Sequence, residues 1–356
     1  MSRLAERLLA WFDVHGRHDL PWQHPRSAYR VWISEIMLQQ TQVQTVIPYF
    51  QRFMDALPDL PALAAAPQDR VLALWSGLGY YARARNLHAA AQACVERHAG
   101  ELPRDLDALV ALPGIGRSTA GAILAQAHGQ RAPILDGNVK RLLSRFHAVE
   151  GWPGSSAVER QLWALAEGHL PDTRLPDYTQ ALMDFGATRC SRHQPSCADC
   201  PLQDDCLAHR EGRVDHLPTP RPGKALPQRE TVMLLLRDPA GRVLMARRPP
   251  TGVWASLWSL PEVEGAPGPD LPGDLPGDLP GDIAAMADAD LGGAWWMDPI
   301  EHVFSHFRLR IRPLQVPARE RARAVGDNGR LRWQALDALD GIGLPAPIGK
   351  LLRSLD

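Results

Sequence analysis

The chain has 356 residues, of which 45% are hydrophobic and 22% are charged, a composition typical of a globular protein with two or three domains. Lysine and arginine (39 residues) balance aspartate and glutamate (40 residues), so a nucleic-acid partner would need a local basic face. No apolar run is long enough to span a membrane and the first residues lack a signal-peptide core, which predicts a cytoplasmic protein.

The first two predicted elements are helices. An amphipathic pattern over residues 1–20 is ended by Gly16. Ser27 is a good N-cap for the second helix. The apolar side of that helix is predicted to contain Ala28, Val31, Trp32 and Leu38.

Glu35 projects from the middle of the same side. Apolar surroundings disfavour an ionised carboxylate, so we predict a raised pKa and a neutral carboxyl that could act as a general acid. In the alternative interpretation, Glu35 lies at the rim of the helix and reaches water or pairs with Arg30.

Further helices, without a convincing strand, are predicted up to about residue 131. Residues 112–116 have the sequence Leu-Pro-Gly-Ile-Gly between two of these helices. Glycines two positions apart permit a tight turn that exposes backbone N–H groups at a helix N-terminus. Such donors suit a DNA phosphate, as in a helix-hairpin-helix; the alternative is an ordinary turn between helices.

Asp136 directly precedes another predicted helix. As its N-cap, Asp136 would accept backbone N–H hydrogen bonds that stabilise the anion, which predicts a low pKa. A neutral Glu35 beside an ionised Asp136 would be an acid and stabiliser pair of the kind that cleaves glycosidic bonds. Taken alone, Asp136 is equally well interpreted as a plain N-cap.

Four of the five cysteines lie within seventeen positions, at Cys190, Cys197, Cys200 and Cys206. In a cytosolic protein this density indicates a metal site and not disulfides. A single compact loop supplies all four thiolates, which favours a [4Fe–4S] cluster over zinc. The fifth, Cys94, is predicted to be a buried apolar residue in a helix.

The pattern changes after a proline-rich stretch at residues 217–227, which we predict to be a linker. Strand-like runs over residues 231–236 and 242–246 predict a β-hairpin, and a third strand is predicted over residues 308–312. Three Leu-Pro-Gly-Asp repeats begin at residues 271, 275 and 279 and predict a flexible surface insertion. The second domain is therefore expected to be small and α+β.

The hairpin, the downstream aspartate and the cysteine spacing together resemble the endonuclease III superfamily of helix-hairpin-helix DNA glycosylases. Within it, residues 32–42, 77–86 and 135–140 resemble the MutY-type adenine DNA glycosylases, over residues 4–260 and again over residues 303–307. The resemblance implies a multidomain fold: an all-α glycosylase body with an iron–sulfur cluster loop, followed by a small α+β Nudix-like domain. The expected boundaries are residues 1–26 with 133–212 (cluster domain), 27–132 (six-helix domain), 213–229 (linker) and 230–356 (Nudix-like domain, with a disordered insertion around 265–283).

The resemblance also implies roles for individual residues. Glu35 matches the general acid that protonates N7 of an extruded adenine, and Asp136 matches the carboxylate that stabilises the oxocarbenium-like sugar. Asn138 matches a residue that helps to place the water. One [4Fe–4S] cluster is expected on the four cysteines.

Two groups of residues match DNA-contacting positions. Those that probe the lesion pair are Gln40, Thr41, Leu78 and Tyr80. The other predicted DNA contacts are Leu112, Gly114, Gly116 and Lys140. Extruding a base requires unstacking, which wedging side chains assist; alternatively, Tyr80 could pack in the core.

One departure from the superfamily bears on the reaction. Bifunctional members have a lysine that forms a Schiff base with the sugar, where this chain has Ser118. Because that route needs an amine, we predict a monofunctional enzyme. Some family members have tyrosine at this position, which leaves a catalytic role for Ser118 doubtful.

In the Nudix-like domain, Phe304, Ser305 and His306 match the loop that contacts 8-oxoguanine. The glutamate-rich metal-binding helix of Nudix hydrolases is absent from the sequence, so the domain is expected to bind and not to hydrolyse a diphosphate. Alternatively, His302 and His306 are only exposed residues at strand ends.

The expected function is excision of adenine paired with 8-oxoguanine or guanine in double-stranded DNA, by a monomer that associates with the bacterial nucleoid and not with a membrane. One alternative is a bifunctional pyrimidine-lesion glycosylase and lyase of the endonuclease III type. The other is a non-catalytic mismatch-binding or electron-transfer protein.

Overall fold

A computed structural model describes residues 2–223, 225–263, 279–321 and 329–355. Two compact units divide the chain: residues 2–66 with 86–223, and residues 67–85 with the described part of 224–356. Within the described residues, no helix is both long enough and apolar enough to cross a bilayer.

The first unit, which we call the helical unit, is built from helices. Their bounds are α1 (Arg3–His15), α2 (Ala28–Leu38), α3 (Val43–Ala56), α4 (Leu60–Ala65), α6 (Ala82–Arg97), α7 (Leu106–Val110), α8 (Arg117–His128), α9 (Gly137–Phe146), α10 (Ser156–Gly168), α11 (Leu175–Thr188) and α12 (Leu207–Arg210). Helix α5 (Gln68–Leu74) and the first residues of α6 belong to the second unit. The predicted all-α body is confirmed.

The first helix ends and the second helix begins where the sequence predicts. The Ser2 hydroxyl accepts a hydrogen bond from the Ala5 N–H at the start of α1, and Gly16 ends that helix. Ser27 caps α2 by accepting from the Arg30 N–H at 3.3 Å.

Helix α2 is buried on more than the one predicted side. Ile33, Ile36 and Met37 are buried as well as Val31 and Trp32. The predicted apolar side is thus only part of the buried surface of this helix.

A shared apolar core joins α1, α9, α10 and α11 to the cysteine loop. Its largest members include Trp11, Phe146, Tyr178 and Phe185, and half-buried Cys190 packs against it. Cys94 is fully buried in α6, as predicted.

The second unit, which we call the sheet unit, contains the strands. They are β1 (Gln228–Arg237), β2 (Val243–Arg247), β3 (Trp258–Ser259), β4 (Glu262–Val263), β5 (Ala287–Ala289), β6 (Trp295–Trp296), β7 (Ile300–Val303), β8 (Arg308–Glu320) and β9 (Leu331–Gln334). Strands β1 and β2 form the predicted antiparallel hairpin, with Arg237 opposite Val243. The third predicted strand is longer than expected, and β8 pairs with β1 in parallel.

Alternation along β1 places apolar side chains on both faces of the sheet. Met233 and Leu235 pack with Ile348 of helix α14 (Ala346–Arg353) on one face. Leu234 packs on the other face with Ile283 of helix α13 (Gly281–Met286). The sheet is thus buried on both sides, and the predicted α+β class is confirmed.

The described units differ from the predicted domain boundaries. Asp69 of α5 forms an ion pair with Arg247 of β2 at 2.7 Å, and the Tyr81 hydroxyl donates to the Leu344 carbonyl at 2.6 Å. Residues 67–85 therefore belong to the sheet unit, although the sequence predicts them inside the domain 27–132.

The predicted insertion lies largely outside the described residues, which resume at residue 279. Its predicted end at residue 283 is too late, because the third repeat leads directly into α13. Ile283 is buried against the sheet, and this burial orders the end of the repeat.

One close contact in the helical unit allows a stability test. A Cβ atom added at Gly121 of α8 would lie 2.2 Å from the Pro133 carbonyl oxygen. Gly121→Ala should therefore lower the free energy of unfolding by about 1–3 kcal/mol, measured by urea denaturation. Gly168→Ala at the end of α10, where an added Cβ meets nothing within 4 Å, should be neutral or stabilising by up to about 1 kcal/mol. Equal effects of the two substitutions would contradict this packing.

Candidate active site

A cleft in the helical unit brings the two predicted carboxyl groups together. Glu35 of α2 and Asp136, which precedes α9, both line this cleft of about 950 Å³. Asn138, Gln40 and Thr41 also line it. The volume lies within the roughly 300–1,000 Å³ that is usual for sites that bind small organic groups.

Glu35 has the raised pKa that the sequence predicts. Burial raises the pKa of its carboxyl to about 8, and the negative charge of Asp136 contributes to the increase. Arg30, the alternative partner, donates to the Pro21 carbonyl and lies over the Phe50 ring. Glu35 is therefore largely protonated at pH 7, as a proton donor must be.

Asp136 caps α9 as predicted but does not have the predicted low pKa. Its carboxylate accepts from the Val139 N–H at 2.8 Å and from the Asn138 side-chain amide at 3.1 Å. Burial nevertheless raises the pKa of Asp136, because desolvation of the anion outweighs these hydrogen bonds. The prediction of a low pKa is wrong for the protein alone.

Asn138 is held in place by Arg141. The Arg141 guanidinium donates to the Asn138 side-chain oxygen at 2.8 Å, to the Gly186 carbonyl at 2.7 Å and to the Cys190 carbonyl at 2.8 Å. Gly186 has no room for a side chain, since an added Cβ would lie 2.6 Å from the Asn138 Cβ. These contacts aim the Asn138 NH₂ group at Asp136 and connect it to the cysteine loop.

Gln180 of α11 is a cleft residue that the sequence did not indicate. It is 2% exposed, and its NH₂ group donates to Asp184 at 2.8 Å. Asp184 is itself held by the backbone N–H and the guanidinium of Arg17. The Gln180 side-chain oxygen has no hydrogen-bond partner among the described residues, so the cleft wall contains an unsatisfied acceptor. No local sequence pattern distinguishes this glutamine from an ordinary core residue.

Ser118 has a local structural role. Its hydroxyl accepts from the Leu135 N–H at 3.0 Å, in the residue directly before Asp136. Ser118 therefore supports the backbone that carries the carboxylate.

The hairpin at residues 112–116 has the geometry of an exposed backbone turn. Gly114 has φ +77°, and an added Cβ would lie 2.7 Å from the Asn86 Cβ. Gly116 is the N-cap of α8. The side chains of Leu112 and Ile115 are buried, whereas Gly114 and Gly116 are exposed, so their backbone groups could face a ligand.

Lys140 has a partner within the protein, whereas the turn after α2 is open to solvent. The Lys140 ammonium forms an ion pair with Glu159 at 2.7 Å. Gln40 is exposed and has φ +59°, a strained value for a residue with a side chain. Thr41 is partly exposed beside it.

Leu78 and Tyr80 lie in the sheet unit and are not both exposed. Tyr80 is 52% exposed with φ +49°, so the alternative of a core tyrosine is wrong. Leu78 is only 7% exposed, which leaves its side chain unable to contact DNA in this conformation.

The four predicted metal-binding cysteines line one apolar cavity in the helical unit, together with Phe146 and Phe185. Burial raises the pKa of Cys200 to about 11, and the charges of the other three thiolates act in the same direction. Arg145, which is 3% exposed, donates to the Cys190 sulfur at 3.4 Å. In the described part of the chain, no three His, Cys, Asp or Glu side chains form a group that could hold a single metal ion.

The three predicted lesion-contacting residues lie between β7 and β8. Ser305 and His306 are exposed, and Phe304 is half-buried and stacks on Phe307 with ring centroids 4.6 Å apart. Trp254 packs against Phe304 at 5.3 Å. His302 is half-buried, and burial lowers its pKa, so it is not simply an exposed residue at a strand end.

Two family models and several named proteins match the chain. Residues 33–167 match the family model of the HhH-GPD superfamily base excision DNA repair protein, and residues 232–354 match a NUDIX domain. The adenine DNA glycosylase of Buchnera aphidicola from Acyrthosiphon pisum is 34% identical over 350 residues, covering 98% of this chain and 97% of that protein. The adenine DNA glycosylase of Homo sapiens is 36% identical over 317 residues, covering 74% and 58%.

Two solved structures resemble the chain in fold. A thermostable thymine-DNA glycosylase has a TM-score of 0.52 and 26% identity, covering 58% of this chain and 95% of that one. A non-covalent endonuclease III–DNA complex has a TM-score of 0.50 and 22% identity, covering 59% and 94%.

The raised pKa of Glu35 predicts a pH-dependent stability. The folded state keeps a proton that the unfolded state loses near pH 4.5, so the Glu35 contribution is complete below that pH and is lost as pH rises to about 8. Glu35→Gln does not ionise, and its stability relative to the unmodified protein should rise by at least about 1 kcal/mol between pH 5 and pH 8.5. Urea denaturation at both pH values measures this, with Glu167→Gln on the exposed surface of α10 as the control. A pH-independent difference would contradict the assignment.

Proposed function

Because the chain belongs to the adenine DNA glycosylases of the HhH-GPD superfamily, we propose that it excises adenine paired with 8-oxoguanine or guanine from duplex DNA. The observation that carries the proposal is the shared cleft of Glu35 and Asp136, in which the Glu35 carboxyl is protonated at neutral pH. Extrusion of the adenine from the helix would bring its glycosidic bond to these two groups.

Glu35 would act first as the general acid. Its proton passes to N7 of the adenine, so that the electron pair of the bond between N9 and the sugar carbon moves into a neutral leaving base. Water then adds to that carbon and loses a proton, which leaves an abasic site and free adenine.

Asp136 would stabilise the positive charge that develops on the sugar. An anion is costly in this cleft without a counter-charge, and an oxocarbenium-like sugar supplies that charge at the transition state. The raised pKa in the free protein is thus compatible with an ionised Asp136 during the reaction. Asn138, oriented by Arg141, would hold the attacking water beside it.

Gln180 would distinguish adenine from guanine. Its NH₂ group is committed to Asp184, which leaves the side-chain oxygen as an acceptor. The amino group at position 6 of adenine donates to such an acceptor, whereas the carbonyl at position 6 of guanine is repelled by it.

Ser118 supports a monofunctional reaction over the bifunctional alternative. A hydroxyl that accepts from the Leu135 N–H offers no amine for a Schiff base with the sugar. Strand cleavage by the endonuclease III route therefore lacks an amine nucleophile at this position.

DNA would be held through backbone and wedge contacts. The N–H groups of the hairpin at Gly114 and Gly116 suit a phosphate. Gln40, Thr41 and Tyr80 remain candidates for contacts at the lesion pair, and Leu78 would contribute only through its backbone. Lys140 would have to exchange its partner Glu159 for a phosphate.

Phe304, Ser305 and His306 would read the base opposite the adenine. The exposed Ser305 hydroxyl can bond to the oxidised edge of 8-oxoguanine, while the aromatic packing below Phe304 holds the loop. Recognition by this loop would account for a preference for the oxidised partner.

One [4Fe–4S] cluster is proposed on Cys190, Cys197, Cys200 and Cys206. Four half-buried thiols of one compact loop line a single apolar cavity, an arrangement that fits a polynuclear cluster better than zinc. When bound, its iron would neutralise the thiolates and tie the loop together. Arg145 would donate to the Cys190 sulfur and Arg141 to the Cys190 carbonyl.

Excision by Glu35→Gln tests the proposal directly. The variant should lose at least about 100-fold in single-turnover excision, the usual value of a general acid, while its affinity for an A·8-oxoG duplex changes little. Excision should be assayed on A·8-oxoG, A·G and oxidised-pyrimidine duplexes. Activity confined to the pyrimidine lesions, or full activity of Glu35→Gln, would overturn the proposal.

The same assay without alkali or heat separates the alternatives. A monofunctional enzyme leaves the strand intact until the abasic site is cleaved chemically, whereas a lyase cuts it unaided. Binding without excision by the unmodified protein would favour the mismatch-binding alternative.

The cluster proposal predicts the metal content of two variants. Cys200→Ser should lose iron, acid-labile sulfide and visible absorption, whereas Cys94→Ala, which removes a thiol from the core of α6, should retain all three. Zinc in place of iron in protein purified without oxygen would contradict the cluster.

A further inference from the structure

Residues 77–80, which we call the wedge turn, have a backbone that is held by positive φ angles and side-chain hydrogen bonds. Gly77, Gly79 and Tyr80 have φ values of 104°, 69° and 49°. The Trp75 indole donates to the Gly79 carbonyl at 3.1 Å, and the Arg83 guanidinium donates to the carbonyls of Leu78 and Gly79 at 3.2 and 3.3 Å. These hydrogen bonds hold the backbone of the turn, and the Arg83 guanidinium carbon lies 5.5 Å from the centroid of the Tyr80 ring, so the position of that ring is restricted.

A second segment, residues 249–256, supports the lesion-contacting residues. We call it the platform loop. Trp254 packs against Phe304 at 5.3 Å and against His302 at 5.5 Å. The loop is closed by the Ser256 N–H, which donates to the Pro249 carbonyl at 2.9 Å.

The wedge turn and the platform loop are joined directly. The Arg85 guanidinium, five residues after Tyr80, donates to the Ala255 carbonyl at 2.7 Å. Ala255 is the neighbour of Trp254, and it lies between two residues with positive φ, Trp254 at 54° and Ser256 at 63°. The Trp254 backbone is therefore one residue away from the carbonyl that accepts the hydrogen bond from Arg85.

Tyr81 makes a second connection to the sheet unit. Its hydroxyl donates to the Leu344 carbonyl at 2.6 Å, and this bond is buried. Gly343, the preceding residue, accepts from the Trp258 N–H at 3.0 Å and has no room for a side chain because Leu72 of α5 approaches it. Helix α5, which precedes the wedge turn, and Tyr81, which follows it, are therefore both packed against the segment at residues 343–344 of the unit that carries Phe304.

We propose that Arg85 and Tyr81 are positioning residues that couple the lesion-contacting residues to the wedge turn. Contact of Phe304 with the base opposite adenine would shift the Trp254 ring and, with it, the Ala255 carbonyl. Arg85, which donates to that carbonyl, would pass the shift to the Tyr80 ring. Excision would thereby respond to the identity of the opposite base. This inference rests on the proposed roles of Tyr80 and of residues 304–306.

The test compares single-turnover excision of adenine opposite 8-oxoguanine and opposite guanine. Arg85→Met keeps much of the side-chain volume but removes the bond to Ala255, and Tyr81→Phe removes only the hydroxyl. Each should lower the ratio of the two rates by about two- to tenfold, the lower part of the range of measured pairwise couplings, with the rate opposite guanine unchanged. Arg85→Lys, which retains a donor, should restore part of the ratio.

A double-mutant cycle gives the readout that a general structural defect would not produce. Phe304→Ala should lower the ratio by itself, and Arg85→Met should add little in the Phe304→Ala background because the coupling is already broken. Arg353→Met, which removes an exposed ion pair with Asp340 in the same unit, is the matched control and should leave the ratio unchanged. Thermal unfolding of every variant establishes that it is folded.

The outcomes separate this inference from the proposed function. The coupling would be overturned if Arg85→Met and Phe304→Ala lowered the ratio of the two rates independently, so that their effects multiplied. It would also be overturned if Arg85→Met slowed excision equally opposite both bases. Either result would leave lesion reading intact. If the unmodified protein showed no preference, or Phe304→Ala kept it, lesion reading itself would be wrong and the coupling would fall with it.

Discussion

The structure depends on one electrostatic constraint: two carboxyl groups share a desolvated cleft. Burial raises the pKa of Glu35 to about 8 and also raises that of Asp136, and the anion of one disfavours the anion of the other. In this environment a proton on Glu35 is the stable arrangement at neutral pH. The same desolvation makes Asp136 responsive to a positive charge on a substrate, since an ion pair in low dielectric is stronger than in water.

Other residues of the helical unit hold the Asp136 carboxylate in place. Asp136 is fixed by its own helix N-terminus and by Asn138, which Arg141 orients from the other side. Arg141 also donates to the carbonyl of Cys190, so the residue that orients Asn138 is bonded to the cysteine loop. A loop distant in sequence thus contributes to the geometry of the carboxylate.

Much of this protein follows from local sequence patterns. The N-caps at Ser27 and Asp136, the break at Gly16 and the hairpin of β1 and β2 are all set by interactions within a few residues. Such short-range rules of capping, turns and periodicity can be applied without knowing the neighbours in space. The fold class and the capping role of Asp136 were predictable for this reason.

Other features depend on contacts between distant parts of the chain. The burial of α2 on several faces, the raised pKa of Asp136 and the open acceptor of Gln180 depend on which elements surround each residue. The attachment of residues 67–85 to the sheet unit depends on Asp69 and Tyr81 meeting Arg247 and Leu344. The sequence alone determined the local structure and the reactive residue types. Tertiary structure decided their solvation and their partners, because both are set by atoms remote along the chain.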